Sequence, residues 1–376
     1  MTTIELAFKV KEPILACGAD MKGAFAIARG REIFLEEGFG DLADPDNMSR
    51  YEKAVTRLKK KLGVTPKIIA CDMHPGYRST AYAGKAHEAY PRSKLVMVQH
   101  HQAHIASSVT DNAIKGDVLG VAFDGTGYGL DGNIWGGEFF MGRPAGMRRV
   151  GHLDYVPMPG LDAAVKEPWR MAAIYLYRAF GDGFLRLRSD FTKKIDRKKW
   201  LLLKKMAHMG INSPLTSSAG RLFDAVGSIV LSKYNASFEA ELPIELEGEA
   251  LELCRERYGF TSRYRDGMLI VDTVKTIRGV MRDVSQGIDV PTISSRFHNT
   301  AARIILEACG SLRNRYGVDK VVLSGGVFQN GYLLERATSL LRRGAFKVYG
   351  HVRFKTGDNG IPAGQVAMVD AGAICA

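Results

Sequence analysis

The chain has 376 residues, 46% of them hydrophobic and 24% charged, with length for roughly two to three ordinary domains and a sizeable core. No run approaches the ~20 apolar residues of a membrane span, and the mixed N-terminus MTTIELAFKVKEP lacks the apolar block of a secretory signal. Five scattered cysteines without a CxxC pair argue against a disulfide framework or a thiolate zinc site, and a net charge of +12 completes the picture of a soluble cytoplasmic protein with no membrane partner.

From Pro13, PILACGADMKGAFAIARGREIFLEEG reads as an apolar strand, a glycine-bearing turn and further strands. Lys22 in that turn either neutralises a phosphate or simply faces solvent. YEKAVTRLKKKLG from Tyr51 has helical periodicity ending at Gly63, before the strand KIIACDM. KLVMV, also strand-like, leads into VQHHQAHIASS, where His100, His101 and His104 fall within five residues. As a helix start, this spacing puts His100 and His104 on one face and turns His101 away by about 100°. Two imidazoles one turn apart chelate a divalent ion; the alternative is solvated or hydrogen-bonded structural histidines.

DVLGVAFDGTGYGLDGNIWGGEFFMG repeats the strand–turn–strand plan from Asp117, with Asp124-Gly125-Thr126-Gly127 as its turn. Asp124 is a metal ligand at a strand end or an Asx-type turn residue. The glycines let backbone N–H groups approach a phosphate, although neither the Walker nor the GxGxxG spacing is present. Helical patterns at Val165–Phe180, Leu201–Met209, Ser217–Ser232 and Thr292–Arg315 make about 151–290 a mainly helical insertion. Within it, Glu167 and Arg170 can pair at a helix start containing Pro168, and Arg221 and Asp224 read as a surface ion pair. RLRSDFTKKIDRKKWLLLKK, Arg186 to Lys205, carries nine Lys or Arg against two Asp. It is either a solvated helix face or a docking face for an acidic partner or nucleic acid; with only Phe191 and Trp200 as aromatics, base stacking is poorly supported.

A third strand–glycine unit, KVVLSGGVFQNGYLLERATSLLRR, begins at Lys320, and Asp358 sits in the tight loop of KTGDNGIPAGQ before a helix. Asp358 is a ligand or an ordinary turn residue. Cys375 in GAICA is a small apolar helix end or a reactive thiol. The expected fold is α/β: two lobes opened by similar hairpins, with a ligand between the halves. The divisions are 1–115, 116–345 with the helical insertion, and a return segment 346–376 completing the interlobe site. His100, His104, Asp124 and Asp358 form a hard-to-borderline donor set suited to iron, zinc or manganese.

VQHHQAHIASS, AFDGTGYG, IWGGEF, KEPWRMA, TSSAGRLFDAVGSIV, SRFHNTAA, LSGGVFQN and GDNGIPAGQ occur in this order. Together they resemble the C-terminal transferase module of the HypF carbamoyltransferase family, which matures nickel–iron hydrogenases. CDMHPGYRSTAYA is similar to another stretch of that module, and the resemblance runs from Pro13 to Ala371. It implies a duplicated ribonuclease-H-like (actin/Hsp70-type) lobe pair and one divalent ion, iron or zinc, on His100, His104, Asp124 and Asp358. It also implies nucleotide contacts at Gly125, Thr126, Gly127, Gly220, Asp224, Ser324, Gly325, Gly326 and Asn330, beside the candidate Lys22. Arg221 stands where related tRNA-modifying enzymes carry the glutamate of a GExxD helix, which puts one ribose contact in question.

The implied reaction passes a carbamoyl group from ATP-derived carbamoyl adenylate to the C-terminal cysteine of a HypE-like partner, on the way to a cyanide ligand. His298 is a candidate base for the thiol, or else a core histidine. The acylphosphatase, zinc-finger and adenylate-forming regions of complete family members do not precede these motifs here, so the expectation is either an excised domain or a stand-alone protein whose activated carbamoyl comes from a separate adenylate-forming polypeptide. The competing readings are O-carbamoyl transfer to a small molecule, threonylcarbamoyl transfer to tRNA, and a nucleotide-binding maturation scaffold without catalysis.

Overall fold

Short apolar runs broken by glycine turns pair largely with their sequence neighbours. In the computed structural model, which describes residues 1–373, β1 (Thr2–Glu5), β2 (Ile14–Ala16), β3 (Ala24–Arg29) and β4 (Glu32–Glu37) form an antiparallel group. Helix α1 (Pro45–Leu62) leads to β5 (Ile68–Asp72), and α2 (Arg78–Ala89) leads to β6 (Lys94–Val98). Such helical crossovers are what the parallel neighbours β2, β5 and β6 require. Local chemistry sets the boundaries of α1: the Asp44 carboxylate accepts from the Asp46 and Asn47 N–H groups, and Gly63 closes the helix at φ 60°.

After α3 (His100–Asp111) come β7 (Val118–Tyr128), β8 (Ile134–Gly142), β9 (Arg148–Leu153), β10 (Val156–Pro157), α4 (Asp162–Lys166) and α5 (Trp169–Phe180). Next are α6 (Asp190–Lys193), α7 (Arg197–Met209), β11 (Leu215–Thr216), α8 (Ala219–Leu231) and α9 (Glu241–Gly248). The hairpin β12 (Thr261–Arg265) and β13 (Met268–Asp272) precedes α10 (Val274–Ser285) and α11 (Val290–Tyr316). Then β14 (Lys320–Ser324), α12 (Gly331–Arg343), β15 (Lys347–Tyr349) and α13 (Ile361–Asp370) follow.

The first sheet has the order β1-β4-β3-β2-β5-β6, and the path of the second is β12-β13-β9-β8-β7-β14-β15. In both, three antiparallel strands are continued by two parallel ones, β4-β3-β2-β5-β6 and β9-β8-β7-β14-β15. This repetition is the duplicated ribonuclease-H-like, actin-type α/β architecture implied by the motifs.

Some elements depart from the sequence reading. Between 151 and 290 the chain is not only helical: β13 pairs in parallel with β9 and extends the second sheet. Its partner β12 is an edge strand exposed at all five positions, so TSRYR shows no apolar alternation to read. The helical run expected from Val165 is two helices parted at Glu167–Pro168, because proline lacks the N–H that would continue the first. The basic segment folds into α6 and α7 with most lysines exposed, but Phe191 and Trp200 are buried. It therefore presents no stacking surface for bases.

Helices α3 and α13 decide where the site lies. Every residue of α3 is buried, and so are Ile361–Val369 of α13. The two pack on each other between the sheets, α13 against β2, β3 and β5 and α3 against β7 and β14. A helix enclosed on all sides needs small residues where backbones cross. A Cβ on Gly364 would stand 1.9 Å from the Ala103 carbonyl oxygen. Cys17, Cys71, Cys254 and Cys309 are free thiols, while Cys375 lies outside the described residues. Among the described residues no helix is long and apolar enough to cross a membrane.

Candidate metal centre

Gln99 starts α3, its side chain accepting the Gln102 N–H, so His100 and His104 rise from the first turns of a helix enclosed by protein. Asp124 reaches them from β7. It is not a hairpin-turn residue, as the sequence suggested: β7 continues to Tyr128, and its register with β8 breaks between Phe123 and Gly127. Such a break re-aims a side chain that regular pairing would hold elsewhere. Asp358 comes from the short turn Asp358–Gly360 that opens α13.

One ligand atom from each of His100, His104, Asp124 and Asp358 lies within 4.8 Å of the others. His100 Nε2 is 3.3 Å from Asp124 Oδ2 and 3.8 Å from Asp358 Oδ1, and His104 Nε2 is 3.6 Å from each of those oxygens. Both Nε2 atoms are buried without a well-formed hydrogen bond. Two orphaned imidazole nitrogens facing two carboxylates fit a divalent ion of borderline hardness.

The charges are mutually dependent. Burial would raise the Asp124 carboxyl, but the facing His100 and His104 imidazoles hold it well below the ordinary carboxylate range. Burial would lower His100, yet the Asp72 and Asp124 carboxylates push it well above the usual imidazole value. A metal ion entering here displaces protons.

Asp72, at the end of β5, is a residue to which the sequence reading assigned no role. His100 Nδ1–H donates to Asp72 Oδ2 at 2.7 Å, and Asp72 Oδ1 accepts the His74 N–H. Both side chains are essentially inaccessible. The pairing fixes the tautomer of His100 and leaves the Nε2 lone pair for a metal. Asp72→Asn is expected to lower divalent-ion affinity by about ten- to a hundredfold in a competition titration. Unchanged affinity would mean that His100 keeps its orientation without Asp72.

His101 is not turned clear of the centre: its Nε2 lies 4.0 Å from Asp124 Oδ2. Gln99 Nε2 donates to the Tyr128 carbonyl and, at 3.2 Å, to His101 Nδ1. With Nδ1 accepting, the proton of the neutral ring sits on Nε2, where no partner meets it. Burial and the neighbouring His100 push this imidazole down to about 3. Thus His101 offers an N–H rather than a ligand lone pair. Gly127 makes room for it, since a Cβ there would lie 2.4 Å from His101 Cε1. Histidine packing is sufficient reason for that glycine.

A cavity of about 360 Å³ adjoins the centre and is bordered by Asp124 and Asp358. Of the sequence-predicted nucleotide residues, Lys22, Gly125, Gly220, Gly326 and Asn330 line it, whereas Thr126, Gly127, Asp224, Ser324 and Gly325 do not. Gly220 brings α8 against β7, its hypothetical Cβ only 2.9 Å from Gly125 Cα. Gly326 donates its N–H to Asp124 Oδ1 at 2.7 Å. Lys22 Nζ reaches Gln329 Oε1 across the lobes at 3.4 Å. Ser324 is buried and bonded to His351 Nε2 at 2.7 Å. Gly325, at φ 103°, lies so close to Phe123 that a Cβ would be 2.3 Å from its carbonyl oxygen.

Arg221 and Asp224 are not a surface pair: they are 4% and 2% exposed, with 3.0 Å between Nη2 and Oδ2. His298 is also buried, its Nδ1 donating to Ser294 O at 2.8 Å and its Nε2 lying 2.9 Å from Asn330 Nδ2. Burial lowers it to about 4. With both ring nitrogens engaged, His298 orients Asn330, whose Oδ1 caps α12 through the Leu333 N–H. It does not present a free nitrogen to an incoming thiol.

Comparison with known proteins covers both lobes. Residues 9–111 match the HypF Kae1-like domain, and residues 120–365 match the second subdomain of the carbamoyltransferase Kae1-like domain. The chain is 31% identical to the carbamoyltransferase HypF of Synechocystis sp., over 96% of the chain and 48% of that protein. It is also 31% identical to a carbamoyltransferase HypF homolog of Cupriavidus necator, over 94% of the chain and 90% of that protein. Among solved structures, full-length HypF in a phosphate- and nucleotide-bound form superposes with a TM-score of 0.92 at 34% identity, covering 98% of this chain and 47% of that one. HypF from T. kodakarensis superposes with a TM-score of 0.87 at 25% identity, covering 98% of this chain and 49% of that one. The chain therefore spans about half the length of three of these relatives and most of the fourth.

Proposed function

This chain belongs to the HypF carbamoyltransferase family, and from that premise we propose that it transfers the carbamoyl group of carbamoyl adenylate to the C-terminal cysteine thiol of a HypE-like partner in the cytoplasm. The observation that carries this reading is the convergence of His100, His104, Asp124 and Asp358 beside an interlobe cavity. A pocket of this size suits a nucleotide-sized ligand.

The transfer is an acyl substitution. The thiolate sulfur attacks the carbamoyl carbon, a C–S bond forms, the C–O bond to phosphate breaks, and AMP leaves with the electron pair. Phe223, Pro243 and Ile244 give the cavity an apolar wall suited to adenine, and Lys22 offers a cation for phosphate. His100, His104, Asp124 and Asp358 would hold iron or zinc. A bound divalent ion supplies Lewis-acid polarisation of a carbonyl or phosphoryl oxygen. His101 contributes a neutral N–H next to the same carboxylate. Because α3 and α13 are buried, these groups are set before a ligand arrives and need little reorganisation.

The decisive experiment incubates the chain with pre-formed carbamoyl adenylate and a cysteine-tailed HypE-like acceptor, then measures the acceptor's intact mass. One added carbamoyl group, absent when the terminal cysteine is serine, supports the proposal. No gain, with metal and nucleotide demonstrably bound, would move the acceptor to a small molecule or tRNA.

A further inference from the structure

The cavity contains a cation that reads as a surface residue in the sequence. Helix α8 is pinned to the β7 irregularity by Ser218, whose Oγ accepts the Arg221 N–H at 3.0 Å and donates to Gly125 O at 2.5 Å. Arg221 follows on the first turn and lines the cavity. Its Nη2 lies near Gly125, where a Cβ would be 3.9 Å away. Asp224 Oδ2 pairs with Nη2 at 3.0 Å without a well-formed hydrogen bond, and the buried Nε and Nη1 have no hydrogen-bond partner in the protein.

A guanidinium keeps its charge and has no acceptor, so it cannot accept a hydrogen bond from a sugar hydroxyl as a carboxylate would. Buried N–H groups left without acceptors are costly, and the planar fork matches phosphate oxygens. The cavity is otherwise acidic. Asp124, Asp358, Glu239 and Glu247 line it, against Lys22 and Arg221 as the lining cations. An anionic ligand needs a positive group at this point.

We propose that Arg221 binds the phosphate of the nucleotide, so that the cleft selects nucleoside monophosphates and their acyl esters over nucleosides. Asp224, which does not line the cavity, then braces the guanidinium instead of touching the sugar. This deepens the nucleotide-binding part of the function proposed above and rests on it.

The test is calorimetric titration of the metal-loaded full chain with AMP and with adenosine. The wild type is expected to prefer AMP. Arg221→Gln should weaken AMP by about ten- to a hundredfold, the scale of a charge-assisted hydrogen bond, and leave adenosine within about twofold. Arg221→Lys, which keeps the charge and loses the fork, should recover part of the preference. Unchanged AMP affinity in Arg221→Gln overturns the proposal, as does an equal loss for both ligands. If that variant does not fold, Arg221→Lys decides: a reduced preference for AMP supports the proposal and an unaltered one overturns it. Failure of the wild type to bind either ligand would remove the nucleotide reading itself, and this inference with it.

Discussion

Replacing His104 with alanine is expected to abolish stoichiometric divalent-ion binding and to slow carbamoyl transfer by about a thousandfold or more, the several kcal/mol that a Lewis acid supplies to acyl transfer. The same substitution should barely disturb the metal-free fold. Both His104 ring nitrogens are buried without a well-formed hydrogen bond, so the imidazole is an expensive group to keep inside unless an ion occupies the site. Metal-free wild type and variant should therefore melt within a few degrees of each other, and added zinc or iron should raise the melting temperature of the wild type alone. Metal analysis, thermal melts and the acceptor-mass assay read these effects separately. A variant that keeps its metal and its rate would remove His104 from the centre. One that keeps its rate after losing metal would sever the metal from the chemistry.

The second large effect is expected where α3 and α13 cross. Gly364→Ala places a Cβ 1.9 Å from the Ala103 carbonyl oxygen, a backbone atom inside α3 that has no rotamer to yield. The two buried helices must separate. Overpacking of this kind costs about 1–3 kcal/mol, and the displacement does not stop at stability. Helix α3 carries His100 and His104, while α13 begins after Asp358. The variant should therefore melt several degrees lower and bind its ion more weakly, although residue 364 supplies no ligand. Native melting and native metal affinity together would show that the helix pair absorbs the methyl group elsewhere. A lower melting point with full affinity would uncouple the packing of the two helices from the geometry of the centre.

Some of the site is local, and locally legible. The four-residue step from His100 to His104 puts both imidazoles on one face of any helix. Strand–glycine units at Pro13, Asp117 and Lys320 mark β2, β7 and β14, and Asp44 with Gly63 brackets α1. The ordered motifs, read together, were sufficient to reach the family.

The groups that tune the site lie beyond local pattern. Asp72 meets His100 across 28 positions, and Asp358 meets it across 258. DGTGYG has turn composition, but Asp124–Tyr128 are strand with a register break, and Gly127 answers to the histidines packed on it from α3. A pair spaced three apart, such as Arg221 and Asp224, looks the same in sequence on a solvated face as in a buried wall. Likewise, the tautomer of His101 depends on how Gln99 is held against Tyr128. The sequence by itself determined the repeated lobe plan, the helical face of the two outer histidines and the family, since these rest on short periodicities and ordered motifs. Burial, charge pairing and the aim of each polar atom were decided only by the tertiary structure, because each depends on distances between segments the chain brings together last.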